Sequence, residues 1–460
     1  MTQSPNQQSP IAQFFDVIVI GGGPAGSTAA GFLAQAGFRV LLLEKDHFPR
    51  YHIGESLLSA TLPILEALGV APAIEAAAFV RKPGGTFVWG QRQDPWSFFF
   101  REDPGGRPHA YHVLRSEFDQ ILLRHCVQLG AEVREGHRVR EVRYDGRNHV
   151  VAEDEQGRRM EAEATYVVDA SGQQALLGRR DHLREFNPFF KNLAIFGYWE
   201  GAEPLDGPVA GNILSAAFPE GWFWFIPLHD GTTSVGAVVD AHRFAGEAAG
   251  DALALYQRLV TACGSVEDRL RQARLVSPIR VIRDYSYCSR RFYGPGYLLA
   301  GDAACFIDPV FSTGVHLACL SGYLAAETLT RLLSDTGRDA AAAALQGYDA
   351  QYRAAFERYL NFLYFFYDHH REPDSYFWTA RKILNPTGPI EARTAFVRLM
   401  SGRGDLLHGD ARLQEELATR HARLQRSAEH GRFAAMPEAD LFRVRRTLSE
   451  MGRGEGFEKK

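Results

Sequence analysis

Asp16-Val17-Ile18-Val19-Ile20-Gly21-Gly22-Gly23-Pro24-Ala25-Gly26 is the stretch that decides the fold, because a short apolar run passes directly into a glycine-rich turn. Small residues typical of a helix follow, and a second apolar run from residue 39 to 43 ends on Glu44. A strand, a glycine turn, a helix and a second strand with an acid at its tip are typical of a dinucleotide-binding unit. The sequence therefore predicts a dinucleotide here rather than a merely structural turn.

The residues of this turn each have a predicted task. Gly21 permits the tight turn, Gly23 lets a pyrophosphate approach the backbone, and Gly26 lets the helix pack closely on the strand. Amides at the helix N-terminus, near Ala25, are placed to bind phosphate oxygens. Glu44, about 20 residues on, is placed to accept hydrogen bonds from an adenosine ribose.

The bulk properties exclude several classes of protein. The 460 residues carry a net charge of −4 with acids and bases interspersed, so no nucleic-acid footprint is predicted. No apolar run approaches the ~18 residues that would span a membrane. The five cysteines are odd in number and lack C-x-x-C spacing, which favours reduced thiols in a cytoplasmic protein.

The order of elements predicts an α/β protein with a Rossmann-like dinucleotide-binding domain, an inserted antiparallel β-sheet domain on the substrate side and a C-terminal helical region. We predict a disordered tail over residues 1–14, a core over 15–335 and helices over 336–460. The β-rich insertions are expected at about residues 80–110 and 187–290. Adjacent histidines do not share a helix face, so Asp368-His369-His370 predicts no metal site.

Two cationic side chains have both an ordinary and a functional interpretation. A loop lysine such as Lys82 is normally a solvated charge, but Pro83 makes its loop rigid and Phe87 and Trp89 lie nearby. A partly buried amine with a lowered pKa can act as a nucleophile or a proton donor. Arg115 is either a surface charge or a phosphate clamp. It lies just ahead of a predicted helix whose start resembles a capping box, with Asp119 as the last residue of that box.

Other stretches leave two interpretations open as well. Trp222-Phe223-Trp224-Phe225-Ile226-Pro227 places both tryptophans on one strand face, which is equally typical of an aromatic core strand. Ser56 follows a shaped loop and favours a helix cap. Ser312-Thr313-Gly314 precede a long helix of small residues, and their amides form a plausible anion nest at its N-terminus.

Four pieces taken in order resemble the para-hydroxybenzoate-hydroxylase-like FAD superfamily over about residues 15–335. They are the glycine turn with Glu44, Asp169-Ala170-Ser171-Gly172, Gly301-Asp302 and the split β insert. Gly54-Glu55-Ser56, the W-x-W-x-I-P run and residues 308–314 narrow the resemblance to the flavin-dependent halogenases, in particular the branch acting on phenolic or pyrrolic substrates. The longer insert and catalytic glutamate of tryptophan halogenases have no match here, which disfavours free tryptophan as the substrate.

The resemblance implies a mechanism. Reduced FAD and oxygen give a flavin hydroperoxide, and chloride or bromide held by Ser312, Thr313 and Gly314 attacks it to form hypohalous acid. This acid travels through an internal tunnel to Lys82, which hydrogen-bonds it or becomes a haloamine, and an electron-rich ring then takes the halogen. Trp222, Trp224 and Pro227 would separate the flavin from the substrate and so exclude direct hydroxylation.

The resemblance also implies binding residues and partners. Those expected to hold FAD are Gly21, Gly23, Ala25, Gly26, Glu44, Lys45, Arg50, Glu55, Ser56, Arg115, Asp169, Gly172, Asp302, Pro309, Gly314 and Val315. There is no second G-x-G-x-x-G, so a separate flavin reductase is expected to supply reduced FAD. The aromatic substrate is expected free or attached to an acyl or peptidyl carrier protein. An aromatic hydroxylase or reductase of the same superfamily, and a non-catalytic flavin-binding protein, are the alternatives.

Overall fold

The structure of the protein, a computed structural model, describes residues 13–90, 93–187, 189–283, 285–334, 338–367, 373–384 and 391–403. The strands are β1 (Gln13–Ile20), β2 (Val40–Leu43), β3 (Val80–Lys82), β4 (Gly84–Val88), β5 (Pro95–Phe99), β6 (Ala110–His112), β7 (Glu132–Arg134), β8 (Arg138–Tyr144), β9 (Asn148–Glu153), β10 (Arg159–Asp169), β11 (Arg184–Phe186), β12 (Asn192–Glu200), β13 (Ile213–Phe218), β14 (Gly221–Pro227), β15 (Thr232–Asp240), β16 (Arg274–Leu275), β17 (Arg280–Arg283), β18 (Tyr287–Ser289), β19 (Tyr293–Gly294), β20 (Tyr297–Leu299) and β21 (Cys305–Phe306). The helices are α1 (Pro24–Gln35), α2 (Thr61–Leu68), α3 (Ala71–Ala76), α4 (Arg115–Gln128), α5 (Leu176–Arg180), α6 (Ala241–Gly250), α7 (Ala252–Ala262), α8 (Gly264–Leu270), α9 (Gly314–Ser334), α10 (Arg338–Phe366), α11 (Pro373–Leu384) and α12 (Ala392–Met400).

The first sheet has parallel strands in the order β20-β10-β1-β2-β7, with β1 between β10 and β2. The carboxyl ends of its central strands are buried, over residues 17–20 of β1, 40–43 of β2 and 167–169 of β10, and helices α1, α4 and α9 pack in the layer beside them. Ligands of such sheets bind beyond the carboxyl ends of the strands. The predicted α/β fold with a Rossmann-like unit is confirmed.

The second sheet is largely antiparallel, in the order β16-β12-β15-β14-β13-β4-β5 with β17 beside β12. Strand β14 alternates its side chains between two cores: Trp222 and Trp224 face the first sheet, whereas Phe223 and Phe225 face outward. The outward face is covered by α6, α7 and α8, whose buried residues join the same apolar cluster. One insert thus separates the nucleotide-binding side from an independent outer core.

Helices α6 to α8 fall within a region predicted only as β-rich. Their starts carry ordinary signals, since Asp240 accepts a hydrogen bond from the His242 amide and Asp251 accepts one from the Ala254 amide. The prediction followed the alternating apolar and polar residues of the flanking strands and overlooked these helix caps.

The C-terminal region is helical as far as it is described. In α10 the aromatic stripe that includes Tyr352, Phe356 and Phe366 is buried, and the Phe366 carbonyl accepts a hydrogen bond from Trp89 Nε1 at 2.9 Å. The helix therefore closes the second sheet from one end. Strand β1 begins at Gln13, two residues before the predicted start of the core at residue 15. Within the residues described here, no helix is long and apolar enough to cross a membrane.

Candidate functional site

A cavity of about 490 Å³ lies between the two sheets, at the carboxyl ends of β1, β2 and β10. Most of the residues expected to hold FAD line it: Gly21, Gly23, Ala25, Glu44, Lys45, Arg50, Glu55, Ser56, Arg115, Gly172, Asp302, Pro309, Gly314 and Val315. The cavity runs from the start of α1 to the start of α9, so it has a helix N-terminus at each end.

The glycine turn forms the first end of the cavity. Gly21 has φ +102°, and a Cβ there would overlap the Ala170 carbonyl oxygen; a Cβ at Gly26 would overlap the Gly21 carbonyl. Gly26 does not line the cavity. Because it has no Cβ, it lets α1 pack close to the glycine turn. Gly23 precedes α1 and gives it no side-chain cap, which leaves the first amides of the helix for a ligand.

Glu44 is buried at the end of β2, and both of its carboxylate oxygens already accept backbone hydrogen bonds. Its Oε2 accepts from the Gly22 amide at 2.6 Å, and its Oε1 accepts from the Asp46 amide at 2.9 Å. Each oxygen keeps a further lone pair. The carboxylate is thus held in place on the cavity wall with remaining capacity to accept from ribose hydroxyls.

Two arginines on the cavity wall share one buried carboxylate. Arg115 donates from Nε and Nη2 to Asp119 at 2.8 Å each, and Arg50 Nη1 donates to Asp119 Oδ2 at 3.0 Å. Although burial alone would lower the pKa of Arg115, the Asp119 carboxylate raises it; burial of Asp119 is likewise outweighed by the arginines, which lower its pKa. The capping-box interpretation of Asp119 is wrong, because its carboxylate pairs with cations and Leu114 provides no side-chain cap for α4.

Near the middle of the cavity Glu55 is buried and accepts a hydrogen bond from the Tyr198 hydroxyl at 2.6 Å. Burial raises the pKa of Glu55. Ser56 does not cap a helix as predicted, since α2 begins only at Thr61. Its buried Oγ has no hydrogen-bond partner among the described residues, although Ser56 lines the cavity. Tyr285, which the sequence analysis missed, likewise lines the cavity with a buried hydroxyl lacking a described partner.

The two strand-tip aspartates differ. Asp302 lines the cavity, and its burial raises the pKa to about 6 while Arg115 and Arg184 act to lower it. Asp169 does not line it: its carboxylate accepts from the Ser171 amide at 3.1 Å and from the Leu177 amide at 2.7 Å. The Asp169 side chain therefore orders the turn after β10, and its contact with the cofactor stays a prediction.

The segment predicted to hold halide lies at the far end of the cavity. Ser312 and Gly314 line it, whereas Thr313 is buried beside it. The Ser312 amide donates to the Pro309 carbonyl at 3.0 Å, so the predicted nest of three amides is reduced to those of Thr313 and Gly314 at the N-terminus of α9. The Ser312 side chain has a different direction, toward Lys82.

Lys82 is buried at the end of β3, with 2% of its surface exposed. Its Nζ donates to the Leu57 carbonyl at 3.0 Å and lies 3.5 Å from the Ser312 hydroxyl. The Phe100 ring centroid is 5.6 Å away. Because burial is not offset by a carboxylate, it lowers the pKa of the amine to about 7. The solvated-charge interpretation of Lys82 is wrong.

His112, which the sequence analysis missed, is fully buried on β6 next to β3. Its Nε2 lies 3.0 Å from the Gly211 carbonyl, and its Nδ1 has no partner among the described residues. Burial lowers the pKa of His112 well below its ordinary value, and the Lys82 amine adds to this effect. The ring is therefore neutral at pH 7, with Nδ1 able to accept a proton or a hydrogen bond.

The tryptophan strand, β14, contributes its two indoles differently to the cavity wall. Trp224 lines the cavity and donates from Nε1 to the Ser234 hydroxyl at 3.1 Å; Gly236 opposite makes room for its ring, which a Cβ would overlap. Trp222 lies 6.2 Å from Trp89 between ring centroids and does not line the cavity. Pro227 ends the strand at the edge and does not line it either.

Trp222 is also connected to the loop that precedes α9. Its Nε1 donates to the Tyr367 hydroxyl at 2.8 Å, and this hydroxyl donates to Asp308 Oδ2 at 2.7 Å. Asn192 Nδ2 donates to the same carboxylate oxygen at 3.1 Å, and burial raises the pKa of Asp308 to about 6. Tyr367 and Asn192 lie outside every quoted motif, and through them this network joins the tryptophan strand, the loop before α9 and the end of α10.

Within the described ranges no group of three His, Cys, Asp or Glu side chains could hold a metal ion; Asp368-His369-His370 lie outside those ranges. The cavity residues fit FAD instead. The uncapped amides at the start of α1 would bind phosphates, Glu44 would accept from a ribose, and the buried hydroxyls of Ser56 and Tyr285, which lack a described partner, would be available to the ligand.

Comparisons with known proteins agree with this site. A family model described as tryptophan halogenase matches residues 16–107 and 101–426. A tryptophan 2-halogenase of Chondromyces crocatus is 37% identical over 426 residues, which cover 90% of this chain and 78% of that protein. The flavin-dependent halogenase armH4 of Armillaria mellea is 38% identical over 388 residues, covering 75% of this chain and 70% of the relative.

Solved structures give the same result. The myxobacterial chondrochloren halogenase CndH, an FAD-dependent halogenase, has 41% identity and a TM-score of 0.74 over 93% of this chain and 99% of its own. The flavin-dependent halogenase CmlS has 32% identity and a TM-score of 0.73 over 96% of this chain and 78% of its own. The predicted family and the predicted FAD cofactor are confirmed. The chain therefore belongs to the tryptophan halogenase family and is an FAD-dependent halogenating enzyme.

Proposed function

We propose that the protein uses reduced FAD, oxygen and chloride or bromide to make hypohalous acid, and that Lys82 passes the halogen to an electron-rich phenolic or pyrrolic ring. The observation that carries the proposal is the buried amine of Lys82, which lies 3.5 Å from the hydroxyl of a cavity-lining serine, Ser312, and has no carboxylate partner among the described residues. A buried amine of this kind contributes nothing to a stable core, and it suits transfer chemistry.

FAD, when bound, supplies the oxidising chemistry, and the residues of the chain hold it. Gly21, Gly23 and Ala25 would receive the pyrophosphate, Glu44 the adenosine ribose, and Arg50 and Arg115 would place positive charge along the cavity. Their shared partner Asp119 fixes both guanidinium groups before the cofactor arrives.

Halide would be held at the amides of Thr313 and Gly314, where the dipole of the 21-residue helix α9 favours an anion. The Ser312 hydroxyl stands between this end of the cavity and the Lys82 amine. We propose that it lies on the path taken by hypohalous acid. In this position Ser312 and Lys82 give hypohalous acid one hydrogen-bonding group on each side of the passage from the cavity to the substrate side.

On the proposed substrate side, the Lys82 amine acts on the buried His112 ring, and the Phe100 ring centroid lies 5.6 Å from the amine. A neutral amine can take the halogen as a haloamine, and an ammonium can hydrogen-bond hypohalous acid; a pKa of about 7 makes both forms available. Trp222 and Trp224, which share one face of β14, would form the barrier that keeps the substrate ring away from the flavin.

Reduced FAD would come from a separate flavin reductase, as the sequence contains no second dinucleotide fingerprint. A carrier-bound acyl substrate is proposed alongside a free one. Indoles form a second candidate class because the relative from Chondromyces crocatus is named a tryptophan 2-halogenase.

Mass spectrometry of a substrate panel tests the proposal. Phenols, pyrroles and indoles, each free and attached to a carrier protein, are incubated with the enzyme, FAD, a flavin reductase, oxygen and halide. The expected product is a phenol or pyrrole with the chlorine or bromine isotope pattern. If only indoles are halogenated, the proposed phenol or pyrrole class is wrong and indoles replace it. Hydroxylated rings in the presence of halide would overturn the proposed role of the tryptophan strand in separating the flavin from the substrate.

A further inference from the structure

Two of the five cysteines face each other on neighbouring strands, away from the flavin cavity. Cys288 on β18 pairs with Cys305 on β21 in an antiparallel register. The Ser289 amide donates to the Ala304 carbonyl at 2.9 Å, so residues 289 and 304 form the hydrogen-bonded pair. Cys288 and Cys305 therefore occupy the adjacent non-hydrogen-bonded position, where Cα atoms are about 4.5 Å apart. That separation falls within the range that a disulfide spans, about 4.4–6.8 Å.

The surroundings of Cys288 suit a reactive thiolate. Its Sγ accepts a hydrogen bond from Arg353 Nη1 at 3.3 Å, and the side chain is half-buried on the wall of a second cavity of about 200 Å³ that Arg353 also lines. The hydrogen bond from Cys305 and the charge of Arg353 lower the pKa of Cys288. A small oxidant that enters this cavity meets a sulfur with thiolate character.

Cys305 has the opposite environment. It is buried, and burial raises its pKa well above the ordinary value. A protonated thiol next to a thiolate is the arrangement of a resolving and an attacking cysteine. The two thiols are therefore not equivalent, and oxidation begins at Cys288.

The other three cysteines provide an internal comparison. Cys126, Cys263 and Cys319 are buried, and burial raises the pKa of each, to about 12 for Cys126 and Cys319. None of them lines either cavity. They are expected to react more slowly with oxidants than Cys288 does.

We propose that Cys288 and Cys305 form a reversible disulfide when hydrogen peroxide reaches the second cavity. Reduced flavins release this oxidant when their reaction with oxygen is not followed by product formation, so an FAD-dependent enzyme is exposed to it at its own site. Cys305 lies between Asp302 and Phe306, which both line the flavin cavity. The disulfide would therefore tie the wall of that cavity to β18, and the oxidised protein would be a distinct state of the enzyme.

The chemistry balances with one peroxide for each disulfide. The Cys288 thiolate attacks a peroxide oxygen; the S–O bond forms, the O–O bond breaks, and the departing hydroxide takes a proton to become water. The Cys305 sulfur then attacks the sulfenic sulfur; the S–S bond forms, the S–O bond breaks, and the leaving hydroxyl takes the Cys305 proton as a second water. Two thiols are oxidised by two electrons, and an added dithiol returns them.

The test uses the FAD-loaded full chain without substrate. The protein is treated with a stoichiometric amount of hydrogen peroxide, remaining thiols are alkylated, and peptides are mapped without reductant. The expected result is one linked pair containing Cys288 and Cys305, lost on addition of dithiothreitol, with Cys126, Cys263 and Cys319 still alkylated. In the Cys305→Ser variant, dimedone is expected to label Cys288 as a sulfenic acid. Arg353→Gln is expected to slow oxidation of Cys288 by about tenfold, because a lost cation lowers the thiolate fraction.

The outcomes that overturn the proposal are distinct from failure of halogenation. Cys288 still fully alkylated while one of the buried thiols is oxidised would contradict it, as would dimedone-labelled Cys288 in the wild-type protein with no linked peptide. If Cys305→Ser does not fold, the peptide map of the wild-type protein decides alone. Cys288→Ser serves as the matched control and is expected to halogenate like wild type before peroxide and to form no linked pair after it.

Discussion

The flavin side and the Lys82 side of this enzyme treat buried charge in opposite ways. On the flavin side, Arg50 and Arg115 share the carboxylate of Asp119, so each charge is compensated before a ligand binds. On the other side, Lys82 has a carbonyl and a hydroxyl as partners and, in the part of the chain that the structure describes, no carboxylate. Paired charge holds a cofactor in place, whereas an uncompensated amine stays close to neutrality and can react.

The largest expected effect comes from removing the uncompensated amine. Lys82→Met is expected to reduce halogenation by about 10²- to 10⁴-fold while FAD still binds, because the cavity does not include this side chain. The same change is expected to raise the free energy of unfolding by about 1–2 kcal/mol, since a buried amine is replaced by an apolar chain of similar length. Product formation, FAD fluorescence titration and denaturant unfolding measure the three quantities.

Lys82→Arg is the matched control, because it restores a cation but not an amine that can become neutral. It is expected to stay inactive and to lose the gain in stability. Halogenation at the wild-type rate in Lys82→Met would remove Lys82 from the reaction.

Removing the carboxylate that the two arginines share is expected to lower stability and leave catalysis almost unchanged, which is the opposite of the effects of Lys82→Met. Asp119→Asn leaves Arg50 and Arg115 with one neutral amide between them, and loss of a buried partner of this kind costs about 3–5 kcal/mol of stability. FAD affinity is expected to fall with it, while kcat at saturating FAD changes little because Lys82 is untouched. Equilibrium dialysis of FAD and unfolding in denaturant give the two numbers.

Asp268→Asn is a suitable control for Asp119→Asn, because Asp268 pairs with Arg271 on the surface and both side chains are exposed. Surface pairs contribute about 1 kcal/mol or less. Equal losses in the two variants would show that burial of the Arg50–Asp119–Arg115 cluster has no special weight.

The pH dependence of halogenation sharpens the same comparison. The pKa of Lys82 is about 7 in the folded protein against an ordinary 10.5, so unfolding takes up a proton between these values and the cost of burying the amine falls as pH rises. If the neutral amine accepts the halogen, the rate at saturating substrate should drop about fivefold from pH 7 to pH 6, as the neutral fraction falls. Halogenation rates from pH 6 to pH 7 are measured for the wild-type protein and for His112→Phe.

His112 has a pKa well below its ordinary value, so its neutral ring does not account for a step near pH 7. The step is therefore expected to remain in His112→Phe. A rate that rises as pH falls would assign Lys82 the role of an ammonium donor in place of a haloamine.

The two sides also differ in how much the sequence could predict. The glycine turn, Glu44 and the start of α9 are local patterns, in which neighbours along the chain are neighbours in space. Asp119 was assigned to a helix start because only its local spacing was visible, and its partners Arg50 and Arg115 are brought together by the fold. His112 and Tyr367 belong to no local pattern, since β3 pairs with β6 and α10 packs beside β14 through long-range contacts.

Resemblance selected Lys82 where composition alone predicted a solvated charge. The burial that gives this lysine its pKa depends on Leu57, Phe100 and Ser312, which are distant from it in sequence. The three helices α6 to α8 were missed for a different reason, because a strongly alternating strand pattern on either side concealed their caps.

The smallest expected effect concerns the connection between the two sides. The Tyr367 hydroxyl accepts from Trp222 and donates to Asp308, which precedes the loop holding Ser312. Tyr367→Phe leaves the indole N–H and the carboxylate without this partner, at a cost of about 1–3 kcal/mol in unfolding free energy. Asn192 and the Val310 amide still donate to Asp308, so the loop keeps these two restraints. Halogenation should therefore fall only about threefold, less than 1 kcal/mol in activation free energy. A larger share of the consumed reduced FAD should then appear as hydrogen peroxide, because a displaced Trp222 or Ser312 weakens transfer to Lys82 without affecting the paired charges around FAD.

Hydrogen peroxide and halogenated product are measured in the same reaction. The matched control is Tyr364→Phe on the same helix, whose hydroxyl accepts from Asn187 at the surface; an equal peroxide yield in both variants would show that Tyr367 does not connect the two sides.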